Sequence, residues 1–146
     1  MGHRRPLPFA LAILLIALAG PVLAESPKPA EGKEITLPSG LRYTDIKTGD
    51  GEEAKLGQIV TIHYTGWLTN GTKIDSTFDR GQPLSFRLGD ANQVIEGWNK
   101  GIVGMKVGGK RKLVIPPGLA YSGQSIGGIV PPNSTLVFEI ELLGVK

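Results

Sequence analysis

Cysteine is absent from this chain of 146 residues. Neither a disulfide framework nor a lipid-anchored cysteine is available, so the fold must be held by its core alone. Histidine is nearly as scarce, because His3 lies in an amino-terminal leader and leaves His63 alone in the rest. With one imidazole and no thiol, a structural zinc site lacks ligands. His63 is expected to be a hydrogen-bonded structural side chain on a strand rather than a base.

Two motifs of enzyme chemistry are missing or out of place. The sequence has no Gly-x-Ser-x-Gly and no second histidine outside the leader, so no nucleophile can be paired with a base. Residues 104–110 have the spacing of a phosphate-binding loop, but Arg111 stands where Ser or Thr would hold magnesium. The segment would also follow a helix and enter a strand, the reverse of the order that aims a helix N-terminus at an anion. It is interpreted as a glycine-rich turn, and neither a metal nor a cofactor is expected.

Acidic residues are absent from residues 1–24, which places most of the net charge of +3 in the leader. Arg4 and Arg5 are the only charged residues there, so the rest of the chain carries 14 basic against 13 acidic side chains. A body so close to neutral lacks the basic stripe of a nucleic-acid-binding barrel. Nucleic acid is therefore not expected as a partner.

The one long apolar run lies at the amino terminus. Residues 9–19 are apolar and follow Arg4 and Arg5. After them, Val22 and Ala24 are small residues at the two positions that a signal peptidase reads. The run is shorter than the roughly 20 residues that span a bilayer. Residues 1–24 are predicted to be a cleaved signal peptide, with an uncleaved anchor as the alternative. Export to a periplasm or a thylakoid lumen is expected first, and entry into a eukaryotic secretory pathway second.

The rest of the chain divides into a linker and one domain. Residues 25–34 contain two prolines and several charges and are predicted to be a flexible linker. With 40% hydrophobic and 20% charged residues in the chain, residues 35–146 are predicted to fold as one domain. The 21 glycines and 11 prolines indicate many turns and short strands.

Strand patterns recur along this domain. Residues 59–68 are rich in β-branched and aromatic side chains, and Asn70-Gly71 marks a hairpin turn into a return strand over residues 72–76. Asp75 is the one acid in a strand-like apolar setting. The predicted fold class is α+β, a curled antiparallel sheet of about five strands wrapped over one short helix. Further strand segments are predicted at residues 41–45, 84–88, 110–115 and 135–143.

The predicted helix carries residues 94–98, which read Val-Ile-Glu-Gly-Trp. Its three large apolar side chains fall close to one face at helical spacing. Asp90 or Asn92 is expected to cap the start of the helix. Gly101 or Gly104 is expected to end it. The tryptophan either plugs the core or forms the floor of an apolar pocket.

Several sequence blocks occur in a fixed order along residues 35–146. The blocks are His63-Tyr64-Thr65-Gly66 with Asp75 downstream, Phe86-x-Leu88-Gly89, Val94-Ile95-x-Gly97-Trp98, Ala120-Tyr121 and Ile129-x-Pro131-Pro132-x-x-Thr135-Leu136-Val137-Phe138. In order and spacing they resemble the FKBP family of peptidyl-prolyl cis-trans isomerases. The resemblance covers essentially the whole domain, is closest to single-domain exported members, and implies an FKBP-like fold.

The resemblance implies a pocket and a role for each position in it. Trp98 matches the pocket floor, and Asp75 matches the carboxylate that orients Tyr64. The Ile95 backbone N–H matches a donor to a substrate carbonyl, and Tyr121 matches the hydroxyl donor on the long loop. The positions matched to the catalytic pocket are Tyr64, Asp75, Phe86, Val94, Ile95, Trp98, Tyr121 and Phe138.

A second set of positions matches outer contacts to the substrate. Ile74 and Leu84 stand where the best-known members carry Phe, and Ile126 stands where they often carry His. The implied pocket is apolar but less aromatic than theirs. The secondary substrate-binding positions are Ile74, Leu84, Ile126, Ile129 and Val130.

The resemblance implies an enzyme that accelerates X-Pro isomerisation in protein folding, without covalent or acid–base chemistry. An apolar cavity suits this reaction, because the planar amide is more charge-separated than the twisted one. The implied partners are proline-containing polypeptide clients and macrolide inhibitors. The protein is expected to be a monomer with no stable membrane association after signal cleavage. Two alternatives stay open: a proline-peptide-binding or chaperone module with little turnover, and a small nucleic-acid-binding barrel.

Overall fold

The computed structural model describes residues 31–123 and 128–146. Within these ranges the chain forms one antiparallel sheet and two short α-helices. The helices are α1 (Thr77–Arg80) and α2 (Glu96–Ile102), and a 3-10 turn spans Pro117–Leu119. The seven strands are β1 (Glu34–Thr36), β2 (Arg42–Lys47), β3 (Ile59–Leu68), β4 (Lys73–Ser76), β5 (Leu84–Arg87), β6 (Lys110–Ile115) and β7 (Leu136–Val145).

Two ten-residue strands, β3 and β7, form the middle of the sheet. The strand order is β1-β2-β6-β7-β3-β4, and each neighbouring pair is antiparallel. The second edge of β3 is divided, because residues 59–62 pair with β5 whereas residues 65–67 pair with β4. The register shifts between Thr61 and Ile62 on the β7 side and between Gly66 and Trp67 on the β4 side. Such irregularities increase the local twist and bend a strand, which curls the sheet around α2.

The predicted α+β architecture is confirmed, and the predicted number of strands is too low. Strands β3 and β6 have the predicted bounds. The Asn70-Gly71 hairpin is also present, since the Leu68 N–H donates to the Thr72 carbonyl at 2.8 Å and Gly71 has a φ of +92°. Seven strands form instead of about five. Strand β1 carries no sequence signal, because three residues with one partly buried side chain are too few to show alternation.

Helix α2 begins later than predicted, and of the two glycines expected to end it Gly104 does so. Ile95 occupies its N-cap position, and no side chain caps the helix. The expected cap, Asp90, instead accepts a hydrogen bond from the Asn92 N–H at 2.9 Å and closes a turn ahead of the helix. The expected terminator Gly101 lies inside the helix, while Gly104 follows it with a φ of +91°. The residues from 90 to 94 therefore belong to a turn, which shortens the helix.

Gly97 and Gly101 form a face of α2 that rests directly on β6. A Cβ atom at Gly97 would lie 2.4 Å from Ile115 Cγ2, and one at Gly101 would lie 2.7 Å from Leu113 Cδ1. Side chains essentially never approach so closely, so both positions require glycine for the observed separation. The helix backbone thus packs on strand side chains, and this contact sets the height of Trp98 above the sheet.

A buried ion pair joins β2, β6 and the end of α2. Arg111 Nε donates to Asp45 Oδ1 at 2.8 Å, with both side chains at least nine-tenths buried. Arg111 Nη1 also donates to the Gly101 carbonyl at 2.9 Å and the Val103 carbonyl at 3.3 Å. These carbonyls lie at the C-terminal end of the helix, where a cation is favourable. The expectation that Asp75 is the one acid in an apolar strand setting is wrong, because Asp45 is 7% exposed.

The core fills the space between α2 and the concave side of the sheet. Most of its members come from β3, β5, α2, β6 and β7, and all of them form one contiguous cluster. No helix in the described ranges is long and apolar enough to cross a membrane. Fully buried core residues include Leu41, Val60, Ile62, Ile102, Leu113, Ile115, Leu136, Ile140 and Leu142.

Candidate functional site

Trp98 lies at the bottom of a cavity between α2 and the concave side of the sheet, and only 5% of its surface is exposed. Its ring centroid lies 4.6 Å from that of Tyr64, 5.2 Å from that of Phe138 and 5.9 Å from that of Phe86. Tyr64 and Phe138 meet the indole edge-on, a geometry that aromatic quadrupoles favour. The buried indole N–H has no oxygen or nitrogen acceptor in the described part of the chain. The indole is therefore held by contacts with aromatic rings rather than by a hydrogen bond of its own.

The space above this tryptophan, here called the Trp98 cavity, measures about 180 Å³ and opens to solvent. Four strands contribute to its lining, together with α2, the turn before it and the loop after the 3-10 turn. Asp75 is the one charged residue in the lining, and the remaining polar groups are two phenols and one amide. The lining residues are Tyr64, Ile74, Asp75, Leu84, Gln93, Val94, Ile95, Trp98, Tyr121 and Phe138.

A hydrogen-bonded group of three side chains closes one wall of the cavity. The hydroxyl of Tyr64 donates to Asp75 Oδ2, and Asp75 Oδ1 accepts from Arg80 Nη1. Arg80 Nη2 in turn donates to the Tyr64 hydroxyl oxygen at 3.1 Å. The β3–β4 hairpin places the carboxylate beside the phenol, and α1 returns the guanidinium to both. Arg80 has no sequence signal of its own, because a four-residue helix is too short to show periodicity.

Burial raises the pKa of the Tyr64 phenol above 10.0, and its hydrogen bond to Asp75 raises it further, while Arg80 acts in the opposite direction. Burial also raises the pKa of Tyr121, with a second contribution from the negative charge of Asp75. Both phenols therefore keep their protons at neutral pH. The Tyr121 hydroxyl is available as a hydrogen-bond donor at the mouth of the cavity.

The backbone of Tyr64 is held by Thr77, which lies outside the cavity lining. Thr77 is fully buried, and its Oγ1 accepts from the Tyr64 N–H at 2.8 Å. The same oxygen lies 2.8 Å from His63 Nδ1, and the His63 ring stacks on Phe78 at a centroid distance of 4.4 Å. His63 is thus a hydrogen-bonded side chain outside the cavity lining, as expected from the sequence. The described ranges contain no cluster of three or more side chains that could hold a metal ion.

Gln93 also lines the cavity, and no sequence pattern selected it. Its Oε1 accepts from the Arg87 N–H at 2.9 Å, which ties the turn before α2 to the end of β5. This bond holds Val94 and Ile95 at the rim of the cavity. Ile95 immediately precedes the helix, where backbone N–H groups have no acceptor within the helix itself.

Not every predicted site residue reaches the cavity. Phe86 is buried behind Trp98 and belongs to the core rather than the lining. Ile129 is 52% exposed and Val130 is buried in the core cluster, and both lie outside the lining. Ile126 lies outside the described residues. The other predicted positions, including Ile74 and Leu84, surround a single space.

Comparison with known proteins gives a consistent relationship. Residues 50–143 match the family described as FKBP-type peptidyl-prolyl cis-trans isomerase. An FK506-binding protein of Neisseria meningitidis serogroup B is 55% identical over 106 residues, which cover 73% of this chain and 96% of that protein. FK506-binding protein 2 of Dictyostelium discoideum is 42% identical over 138 residues, which cover 94% of this chain and 97% of that protein.

A solved structure shows the same fold. The crystal structure of FkpA from Escherichia coli superposes with a TM-score of 0.72 at 48% sequence identity. The match covers 80% of this chain and 53% of FkpA, so this chain spans about half of that protein.

The sheet curled over α2 and the tryptophan-floored cavity define a small α+β domain with an aromatic-lined site between helix and sheet. The chain belongs to the FKBP-type peptidyl-prolyl cis-trans isomerases, a family of enzymes that act on X-Pro peptide bonds.

Proposed function

We propose that the Trp98 cavity binds the proline ring of an X-Pro segment and accelerates rotation about the preceding amide bond. The observation that carries this proposal is the cavity itself, an open space of about 180 Å³ with an indole floor and a lining in which most residues are aliphatic or aromatic. Pockets for drug-sized ligands measure roughly 300–1,000 Å³, so this smaller space suits one small ring.

The chemistry needs no nucleophile and no proton transfer. Rotation must overcome a peptide-bond barrier of about 18–20 kcal/mol, which originates in amide resonance. The planar amide is more charge-separated than the twisted one, so apolar walls disfavour the ground state relative to the transition state. Each tenfold acceleration requires only about 1.4 kcal/mol. Walls of isoleucine, leucine and aromatic rings can provide such a difference.

Two donors at the mouth of the cavity orient the substrate in this proposal. The Ile95 backbone N–H and the Tyr121 hydroxyl bind neighbouring substrate carbonyls while the bond between them rotates. The raised pKa of Tyr121 supports its part, because a protonated phenol is needed to donate. The Tyr64, Asp75 and Arg80 group acts as a support that holds one aromatic wall in place.

A second candidate function is a proline-peptide-binding or chaperone module with little turnover. Ile74 and Leu84 favour it, because both line the cavity as aliphatic side chains at positions where an aromatic ring is usual in the family. A protease-free cis/trans assay on an X-Pro peptide separates the two functions. A rate equal to the uncatalysed rate would exclude the isomerase and leave the binding module.

Ligands and location complete the proposal. Proline-containing polypeptides are the clients, and macrolides that fill the same cavity act as inhibitors; a macrolide that leaves the isomerase rate unchanged would exclude that part. The leader of residues 1–24 directs export to a periplasm or a thylakoid lumen, where the domain acts as a monomer. Mass spectrometry of the mature protein should place its first residue at Glu25, and light scattering should give the mass of one chain.

A further inference from the structure

A second groove, here called the Glu96 groove, lies beside the Trp98 cavity. This groove measures about 360 Å³ and shares Gln93, Val94, Ile95 and Tyr121 with the cavity. A polypeptide with its proline in the cavity can therefore place an adjoining residue in the groove. The residues that the groove adds are Ala91, Asn92, Glu96 and Ala120.

Glu96 is the one charged residue of this groove. The charge of Asp75 in the neighbouring cavity is already matched by Arg80. Glu96 forms no ion pair within the described ranges, and Lys100 one turn further along α2 does not reach it. Its Oε1 accepts a hydrogen bond from Asn99 Nδ2 at 3.1 Å, which fixes the direction of the carboxylate. The groove thus holds a positioned negative charge.

The loop on the other side of the groove leaves this charge without compensation. Residues 116–135 contain no Lys, Arg, Asp or Glu at all. No cation of this loop can therefore offset Glu96, whichever of its side chains borders the groove. At physiological ionic strength the field of a surface charge extends over about 8 Å, which is enough to reach one or two client residues.

We propose that the Glu96 groove receives a client residue adjoining the proline and selects a cationic side chain, Lys or Arg, at that place. The inference rests on the proposed function of the Trp98 cavity and adds a substrate class to it. An exposed pair of opposite charges changes kcat/KM by about two- to fivefold. The long methylene stem of lysine or arginine also packs on the apolar residues of the groove while its charged end reaches the carboxylate.

The test is a peptide series measured with the protease-free isomerase assay. Short X-Pro peptides carry Lys, Leu or Glu immediately before the proline in one set and immediately after it in another. At one of these positions kcat/KM should be highest for Lys and lowest for Glu, and the difference should shrink as salt is raised. Glu96→Gln should remove the difference between Lys and Glu peptides, since it keeps the Oε1 acceptor for Asn99 but loses the charge.

Two further variants control for net charge and for folding. Glu52→Gln removes one exposed negative charge outside both linings and should keep the preference for Lys. Glu96→Lys should invert the preference in favour of Glu peptides. Equal rates for Lys and Glu peptides at both positions, or a preference that survives in Glu96→Gln, overturns the inference. Turnover of the Leu peptides, measured in parallel, tests the isomerase proposal separately.

Discussion

The hydroxyl of Tyr64 donates a hydrogen bond to Asp75 across the β3–β4 hairpin, and it does so on the wall of the Trp98 cavity. Arg80 donates a hydrogen bond to each of them. The Asp75 carboxylate therefore accepts from two residues, and the Tyr64 hydroxyl both donates and accepts. Side chains tied in this way lose little further freedom when a substrate arrives. The wall that faces the substrate is therefore ordered before binding.

Asp75→Ala should lower kcat/KM by releasing the Tyr64 ring, with a stability loss of about 1 kcal/mol because the carboxylate is partly exposed. Tyr64→Phe should cause a similar loss of activity. The double variant should be little worse than either single one, since both remove the same bond. Isomerase kinetics and urea unfolding measure the two effects. Full activity in Asp75→Ala would reduce this residue to a structural acid.

Trp98→Ala should abolish measurable isomerase activity and cost about 3–5 kcal/mol of unfolding free energy, because it removes a buried indole. Trp67 offers a matched control. It lies among the half-buried positions of β3 that alternate with the core, and it is absent from the cavity lining. Trp67→Ala should lose less stability and keep its kcat/KM. A Trp98→Ala variant that is folded and fully active would contradict the role of the indole as the floor.

Tyr121→Phe should lower kcat by about two- to tenfold, the effect of losing one neutral hydrogen bond, and leave stability almost unchanged. Tyr43→Phe is the control, since Tyr43 packs on the Arg111 guanidinium at 4.3 Å from its ring centre and lies outside the cavity. Activity should not change in the control. Unaltered kinetics in Tyr121→Phe would remove this hydroxyl from the mechanism.

The raised pKa values of Tyr64 and Tyr121 give a prediction for alkaline pH. In the unfolded chain a tyrosine titrates near pH 10, whereas in the fold these two titrate higher. The stability that their protonated forms contribute is therefore complete below about pH 10 and is lost as the pH rises through their folded pKa values. Unfolding free energies measured at increasing alkaline pH should fall, and the double Tyr→Phe variant should fall less. An equal fall in both proteins would show that other groups cause it.

Gly97→Ala should destabilise the domain by about 1–3 kcal/mol and reduce activity, because the added methyl group pushes α2 away from β6. The usual gain of about 1 kcal/mol from alanine in a helix only partly offsets this. Gly144→Ala is the control, since a Cβ there would meet open space. Thermal unfolding and isomerase kinetics should separate the two. A Gly97→Ala protein as stable and active as the original would mean that the helix can lie further from the sheet.

Local sequence patterns predicted much of this fold. The β-branched residues of β3 favour a strand, and the Asn70-Gly71 pair that follows favours a hairpin turn. The start of α2 could not be predicted in the same way. Aspartate is a favourable N-cap residue, but the carboxylate of Asp90 accepts a hydrogen bond from the Asn92 N–H within the preceding turn. Strand β1 is defined by its antiparallel pairing with β2 and not by a pattern in its own three residues.

Contacts between distant parts of the chain explain the remaining differences. Asp45 and Arg111 are 66 residues apart, and no local sequence pattern around either of them predicts a buried ion pair. Arg80 reaches the Tyr64 wall through a helix of four residues. The resemblance to a family predicted most of the residues that line the cavity. The parts played by Gln93 and Arg80 became apparent only in the folded structure.

The contact between the two glycines of α2 and β6 separates two properties of the enzyme. Strand β6 supports the helix along its glycine face and, through Arg111, at its last carbonyls, so the depth of the Trp98 cavity is set by backbone packing. The mouth of the cavity is made of a turn and a loop, whose side chains can change without moving its floor. Substitutions at mouth positions other than Tyr121 should therefore alter which clients are admitted more than they alter the depth of the cavity.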